Sequence, residues 1–241
     1  MKFVRGGLQM TTIRDCIAPD RNPKVPSIKL PEGSIDTHVH IFESQYPLFE
    51  GRGYNPPDST LDDLKHLHSQ LGVSRVVYTQ PSPYGVDNSA ILKGMKVMND
   101  ETPGRARGVC AIKMDVSDDF LEDLDKQGIK GVRLNMDNIG GMPIGLDEIP
   151  TLEARIKDLG WHVEYLFPGK DIVELAPIFK KSSVPISIAH FAYQPATNGI
   201  NSEGFKTLLD LVRDGNTWIK ISGANRVSET DLPPYDDVMP C

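Results

Sequence analysis

Two histidines separated by a single residue are the first feature of this 241-residue chain that could carry chemistry. His38 and His40 close a short run of apolar and β-branched residues, and residues two apart on a strand project to the same face. A third histidine, His190, follows a similar run at residues 186–189. Imidazoles presented together can bind a metal ion or polarise a carbonyl group. We therefore interpret these three as the candidate catalytic residues.

The other three of the 6 histidines fit structural roles better. His66 and His68 lie in a predicted helix between charged and polar neighbours, so we expect both side chains to be solvated. His162 begins a predicted strand, at the end opposite to the one where a βα barrel gathers its active site. We expect His162 to be a structural histidine whose ring nitrogens are satisfied by hydrogen bonds.

The elements that must position these side chains form a regular alternation from residue 34 onward. Seven short apolar or β-branched runs alternate with six amphipathic segments that have the spacing of helices. The predicted strands are residues 34–39, 75–79, 107–112, 131–134, 162–166, 185–189 and 218–222. This alternation is typical of a parallel sheet covered by helices, which can be an open doubly wound sheet or a closed barrel.

Two observations favour the barrel. No glycine-rich dinucleotide-binding turn follows the first strand, and polar residues recur at the carboxyl ends of successive strands. We predict an α/β fold, a TIM-like (β/α)8 barrel over residues 34–241, preceded by an irregular arm at residues 1–33. Seven strands and six helices leave the last helix, strand and helix of such a barrel unaccounted for. We therefore expect a truncated chain that self-associates through its open sheet edge.

Composition narrows the class of protein further. The net charge of −7 argues against general affinity for nucleic acid, although a local cationic pocket for a small anion remains compatible with it. No apolar run has the length of a membrane span, and the amino terminus lacks the apolar core of a signal peptide. We expect a cytoplasmic protein without membrane partners. The 3 cysteines form no Cys-x-x-Cys pair, so neither a disulfide framework nor a thiolate zinc site is indicated.

Five ordered segments resemble the amidohydrolase-related family typified by the 2-pyrone-4,6-dicarboxylate lactonases. They are residues 36–42, 80–88, 131–135, 188–191 and 220–228, and the resemblance runs from about residue 35 to the end of the chain. It implies a (β/α)8 barrel and hydrolysis or isomerisation of lactone rings. It also implies activity without a divalent metal in the pyrone-dicarboxylate branch, whereas related amidohydrolases use zinc through the same His-x-His pattern.

The resemblance further implies roles for individual residues. His38, His40 and His190 would polarise the lactone carbonyl, or would ligate zinc in a zinc-using enzyme. Arg133 and Arg226 would hold the substrate carboxylate, which suits the planar guanidinium group. Further candidates for substrate contact are Ser82, Tyr54 and Tyr165, of which Tyr165 could equally pack in the barrel wall.

Two departures from the family pattern leave alternatives open. The lactonase branch carries a second arginine shortly after the Gly-Val-Arg segment, where this chain has no arginine, and its last strand ends in an aspartate general base, which has no counterpart before Cys241. We expect a lactonase that opens a small carboxylate-bearing lactone, with that lactone or its hydroxy-acid product as ligand. The alternatives are a sugar-acid lactone isomerase, a zinc-dependent amidohydrolase, and an inactive pseudoenzyme that only binds anions.

Overall fold

A seven-stranded parallel sheet is the centre of the computed structural model, which describes residues 13–136, 143–230 and 232–241. Each strand pairs with the next strand of the chain, and a helix lies in each connection. The strands are β1 (Ile35–Val39), β2 (Arg75–Thr79), β3 (Ala106–Cys110), β4 (Ile129–Asn135), β5 (His162–Leu166), β6 (Ile186–Ile188) and β7 (Thr217–Ile219). The connecting helices are α1 (Leu61–Leu71), α2 (Ser89–Glu101), α3 (Asp118–Lys126), α4 (Ile149–Ile156), α5 (Ile172–Phe179) and α6 (Glu203–Arg213).

The predicted βα barrel-type sheet is confirmed, and each predicted strand is present. The largest difference is in β7, which ends at Ile219 rather than at Ser222. Within the described residues, β1 and β7 form the two edges of the sheet. The truncated chain and its self-association stay predictions. No helix in the described ranges is long and apolar enough to cross a membrane.

The curl of the sheet brings its two edges within reach of one side chain. Lys220 follows β7 directly, and its Nζ donates to the backbone carbonyl oxygen of Thr37 in β1 at 3.0 Å. The sheet therefore wraps around an interior cavity whose lining includes residues of β1, β6 and β7. The outer face of the sheet packs against the helices through fully buried side chains that include Trp161, Tyr78 and Phe179.

Helix α1 shows how local sequence sets one of these connections. Thr60 caps its first turn and forms a reciprocal capping box with Asp63, and Gly72 ends it in the left-handed conformation that glycine adopts without strain. Asp63 also pairs with Arg21 at 2.7 Å, which ties residues of the predicted arm to the domain. The arm contributes a two-residue strand, Arg14–Asp15, that pairs with Tyr54–Asn55.

The structural histidines differ in one respect from expectation. His66 is exposed, as predicted, and Nδ1 of His162 lies 2.8 Å from the carbonyl oxygen of Lys130. His68 is buried, with Nε2 3.2 Å from Asp36 Oδ2, so its predicted solvation is wrong. The reason is its position one helical turn after Leu64, which places it on the buried stripe of α1.

Asn88, directly before α2, forms hydrogen bonds with the backbone of Ala111, the residue after β3. This contact leads to a prediction about the stability of the fold. The side chain accepts from the backbone N–H of Ala111 at 2.9 Å and donates to the carbonyl oxygen of the same residue at 2.8 Å. Asn88→Ala leaves both buried backbone groups unpaired, at a cost of about 1–3 kcal/mol for each group. We expect urea denaturation to show a loss of at least about 2 kcal/mol.

The matched control is Asn201→Ala, because Asn201 is exposed. Surface substitutions of this kind change stability by less than about 0.5 kcal/mol. Equal denaturation midpoints for the two variants would show that the Asn88 bridge does not fasten α2 to the sheet.

Candidate active site

The three candidate catalytic histidines form one cluster at the carboxyl edge of the sheet. His38 lies in β1 and His40 directly after it, and their Nε2 atoms are 3.3 Å apart. His190 lies just beyond β6, and its ring centroid is 4.8 Å from that of His38. The structure thus brings together the three side chains that the strand-end pattern singled out.

Hydrogen bonds fix the orientation of two of these rings. Nδ1 of His40 lies 2.8 Å from the carbonyl oxygen of Thr79. Because a carbonyl oxygen only accepts, Nδ1 of the neutral His40 ring carries the proton and Nε2 is an acceptor that faces His38. Nδ1 of His190 lies 2.9 Å from the hydroxyl oxygen of Ser222.

A fully buried carboxylate lies beneath the cluster. Glu164, in β5, has no exposed surface, and its Oε2 accepts a hydrogen bond from the ammonium group of Lys220. Its Oε1 is 3.5 Å from Nε of Arg133 in β4 and 3.6 Å from Nδ1 of His38. Two cationic side chains therefore share one buried anion next to His38.

Glu164 is one of the polar residues that recur at the carboxyl ends of the predicted strands, but the sequence assigns no role in the site to Glu164 or to Lys220. A signal was nonetheless present in β5, where Glu164 is an acidic residue between Val163 and Tyr165 in an otherwise buried strand. Residues that alternate along a strand face opposite sides, so Glu164 and Tyr165 cannot both face the interior. The partnership with Lys220 joins residues 56 positions apart in the chain, which no local pattern indicates.

The environment keeps all three imidazoles neutral near pH 7. Burial, followed by the charge of Arg133, lowers the pKa of His40 to about 3. Burial, followed by the charge of Arg226, lowers the pKa of His190 to about 4. Burial, followed by the neighbouring His40, holds the pKa of His38 well below its ordinary value. A neutral imidazole offers one N–H donor and one acceptor, so the cluster can donate a hydrogen bond to a carbonyl oxygen.

The two candidate carboxylate-binding arginines flank the cluster on different elements. Arg133 is almost fully buried and donates through one terminal nitrogen to the carbonyl oxygen of Gln80 at 2.9 Å. Arg226 is exposed and donates to the hydroxyl of Tyr193 at 3.1 Å. The centroid of the Tyr193 ring is in turn 5.9 Å from the centroid of the His190 ring. Tyr193 is thus a site residue that the sequence reasoning missed.

Tyr54 and Ser82 lie together in the same mouth. Burial raises the pKa of the Tyr54 phenol, and the neighbouring Ser82 hydroxyl and the charges of Arg133 and Arg226 oppose that rise. Both arginines therefore lie within electrostatic range of the Tyr54 hydroxyl. These two candidates for substrate contact share the space that the arginines border.

Tyr165 lies elsewhere, which corrects the expectation that it lines the mouth. Its side chain is 1% exposed, and its ring centroid is 4.7 Å from that of Phe179 in α5. The period of two along β5 turns Glu164 toward the interior and Tyr165 toward the helices. Tyr165 packs in the barrel wall.

A left-handed turn carries His190 into the cluster. Four consecutive residues, His190–Tyr193, have φ near +50°, a backbone conformation that residues other than glycine adopt at an energetic cost. Gly169 packs directly against this turn, and a Cβ atom there would lie 2.0 Å from the carbonyl oxygen of Tyr193. Gln194 completes the support by donating to the carbonyl oxygen of Gly169 at 2.7 Å. Only glycine at position 169 allows this close approach.

Comparison with known families accounts for the arrangement. The sequence profile of the amidohydrolase family matches residues 35–238, which is most of the chain. The chain belongs to the amidohydrolase family.

Relatives of this amidohydrolase include two enzymes named for lactone substrates. This chain is 33% identical over 229 residues to the 2-pyrone-4,6-dicarboxylate hydrolase of Comamonas testosteroni, and the alignment covers 91% of this chain and 74% of that protein. It is 32% identical over 228 residues to the 4-sulfomuconolactone hydrolase of Hydrogenophaga intermedia, which covers 93% of this chain and 74% of that protein.

A solved structure resembles this amidohydrolase along most of its length. It is the crystal structure of a probable 2-pyrone-4,6-dicarboxylic acid hydrolase from Acinetobacter baumannii with citric acid bound. The two share 29% sequence identity with a TM-score of 0.71, and the match covers 81% of this chain and 72% of that one. The amidohydrolase-type barrel inferred from the strand order is therefore confirmed.

The lowered histidine pKa values make the stability of this amidohydrolase depend on pH. An unfolded histidine has a pKa near 6.5, so between about pH 4 and 6.5 the unfolded chain binds more protons at His190 than the folded chain does. The free energy of unfolding therefore rises with pH across this window and falls on acidification. Each such histidine contributes up to about 1.4 kcal/mol per pH unit.

The measurement is chemical denaturation at a series of pH values between 4 and 7. We expect His190→Asn to flatten the slope relative to the parent protein, since the asparagine does not titrate. His66→Asn is the matched control, because His66 is exposed, and it should retain the parent slope. An unchanged slope in His190→Asn would contradict the neutral imidazole assigned to His190.

Proposed function

We propose that this amidohydrolase is a lactonase that opens a small lactone bearing a carboxylate or a similar anionic group. One observation carries the proposal, namely a cluster of neutral imidazoles flanked by the cationic side chains of Arg133 and Arg226. Hydrolysis of a lactone places negative charge on the carbonyl oxygen, and N–H donors arranged beforehand stabilise that charge. The names of the two relatives, both hydrolases of anionic lactones, support the same choice.

In the proposed reaction, the lactone carbonyl oxygen accepts from the histidine cluster and the carboxylate pairs with the arginines. Arg226 is exposed at the mouth, whereas Arg133 lies deeper against Gln80. The acidic group would therefore lie between the mouth and the histidines, beside the Tyr54 and Ser82 pair. Water adds to the carbonyl carbon, the ring C–O bond breaks, one proton of that water passes to the former ring oxygen, and the hydroxy acid leaves. Glu164 acts as a counterion rather than a base, because Lys220 donates to its Oε2 and the Arg133 guanidinium lies 3.5 Å from its Oε1.

We propose that this reaction proceeds without zinc. The histidine cluster lies against Lys220 and Arg133, and these positive charges oppose a divalent cation. In the part of the chain that the structure describes, no group of three His, Cys, Asp or Glu side chains is arranged to hold a metal ion. Zinc at His38 would require a lone pair on Nε2, the nitrogen that faces the cluster. Because Nδ1 accepts from Lys220, the proton of the neutral ring lies on Nε2 and that lone pair is absent.

The metal proposal predicts no loss of activity on chelation. Protein treated with a strong chelator and protein given one equivalent of zinc should hydrolyse lactone at equal rates. Metal content is measured on the same samples by elemental analysis. Activity that tracks bound zinc would favour the zinc-dependent alternative.

The arginine assignment predicts a change in substrate affinity. Arg226→Met should raise KM for 2-pyrone-4,6-dicarboxylate by about 10-fold or more, because a hydrogen bond to a charged group contributes about 1.5–3 kcal/mol. The effect should vanish when the dimethyl ester replaces the diacid. Arg213→Met is the matched control, since Arg213 is an exposed arginine on α6 that pairs only with Asp210 among the described residues. Equal KM values for the two variants would remove Arg226 from the carboxylate site.

Two readouts on the same samples separate the alternative functions. Hydrolysis of the lactone bond at neutral pH releases a proton that a pH-stat records, whereas isomerisation of the ring releases none and is detected by NMR as a new lactone. Calorimetric binding with neither proton release nor a new lactone would indicate the pseudoenzyme that only binds anions. Proton release with the 2-pyrone or the sulfonated muconolactone supports the lactonase.

A further inference from the structure

Lys220 reaches three elements from a single position next to the histidine cluster. Its Nζ lies 3.0 Å from the carbonyl oxygen of Thr37, 3.0 Å from Nδ1 of His38, and in hydrogen-bond contact with Oε2 of Glu164. Its side chain is 12% exposed. An ammonium group has three protons, and the structure provides one acceptor for each of them.

The chemistry of these contacts has a direct consequence for His38. Lysine ammonium has no lone pair, so it donates to Nδ1 of His38 and never accepts from it. Nδ1 must then be unprotonated, and the proton of the neutral ring lies on Nε2. That proton points at Nε2 of His40, which is an acceptor because the other nitrogen of His40 donates to Thr79. The donor and acceptor assignments are therefore consistent along this series of hydrogen bonds, from Lys220 through His38 and His40 to Thr79.

We propose that Lys220 is a positioning residue that sets which nitrogen of His38 carries the proton. Held by Glu164, it keeps His38 in the form that presents an N–H group to the interior of the site. This role rests on the proposed function in one respect: when substrate binds, the lactone carbonyl oxygen replaces Nε2 of His40 as the acceptor of the His38 Nε2–H proton. In this role Lys220 acts through His38 rather than on the substrate.

Glu164 explains why the lysine is needed. Its Oε1 is only 3.6 Å from Nδ1 of His38. Without Lys220, this carboxylate becomes the acceptor that attracts a proton to Nδ1, because a hydrogen bond from a ring N–H to a carboxylate is charge-assisted. The ring then turns its lone pair, rather than its proton, toward the interior. The lysine thus opposes the tautomer that the buried carboxylate would otherwise favour.

The test is ¹⁵N NMR of the histidine rings in the full chain without substrate, with the His38 signals assigned by their absence in His38→Gln. In the parent protein we expect Nδ1 of His38 to be unprotonated and Nε2 protonated. In Lys220→Met, the ratio of the Nε2–H form to the Nδ1–H form should fall by about 10-fold or more. Lys220→Gln retains an N–H donor and should restore the parent form. Lys206→Met, an exposed lysine on α6, should leave the spectrum unchanged.

Two results would overturn the proposal. One is a parent protein whose His38 carries its proton on Nδ1, which needs no variant to be stable. The other is a folded Lys220→Met whose His38 keeps the parent form. The function is tested separately by turnover, where Lys220→Met should lower kcat with a smaller change in KM. Tautomer control without lactone hydrolysis would contradict only the function, and hydrolysis without tautomer control would contradict only the role of Lys220.

Discussion

The buried carboxylate of Glu164 is the constraint around which the candidate site is arranged. An isolated charge without exposed surface is too costly to keep, so Glu164 requires cationic partners nearby. Arg133 and Lys220 supply them from β4 and from the end of β7. The same cations lie next to the imidazoles and, together with burial, keep them uncharged. The ion pairs that make the anion tolerable therefore also set the state of the histidines.

This arrangement explains how one site can serve both an anion and a carbonyl group. Two cations around a single buried carboxylate leave a net positive charge, to which the exposed Arg226 adds at the mouth. The imidazoles contribute polarity without charge, so they do not compete with the arginines for an acidic group. Charge binds one end of such a ligand and neutral donors bind the other. The separation of the two roles follows from burial.

The sequence predicts the framework of the site better than its interior. Strand alternation and helix spacing are local, so the seven strands and the convergence of His38, His40 and His190 follow from pattern alone. The errors arise where the neighbours of a residue in the sequence do not indicate what its side chain contacts in the fold. His68 looks solvated by its neighbours in the chain, yet the helical turn after Leu64 buries it. Tyr165 lies at a strand end, yet the period of two turns it outward.

Contacts between distant segments are the part that the sequence alone does not predict. Lys220 meets His38 across 182 residues, and nothing in either segment indicates that contact. The left-handed turn at His190–Tyr193 is equally hidden, because none of its four residues is the glycine that usually marks such a conformation. Its signal lies at Gly169, in another connection, where a side chain would collide with the turn. Tertiary packing decides both features.

The bridge from Lys220 to Thr37 also bears on how the sheet moves. Within the described residues, β1 and β7 are sheet edges, and a flexible side chain rather than a strand ladder spans the gap between them at this point. Edge strands fluctuate more readily than central ones, since fewer backbone bonds hold them. A widening of this gap by about 1 Å lengthens the bonds from Lys220 to Thr37 and to His38 together beyond hydrogen-bond range. Opening of the sheet edge would therefore also break the contact through which Lys220 is proposed to place the proton on His38.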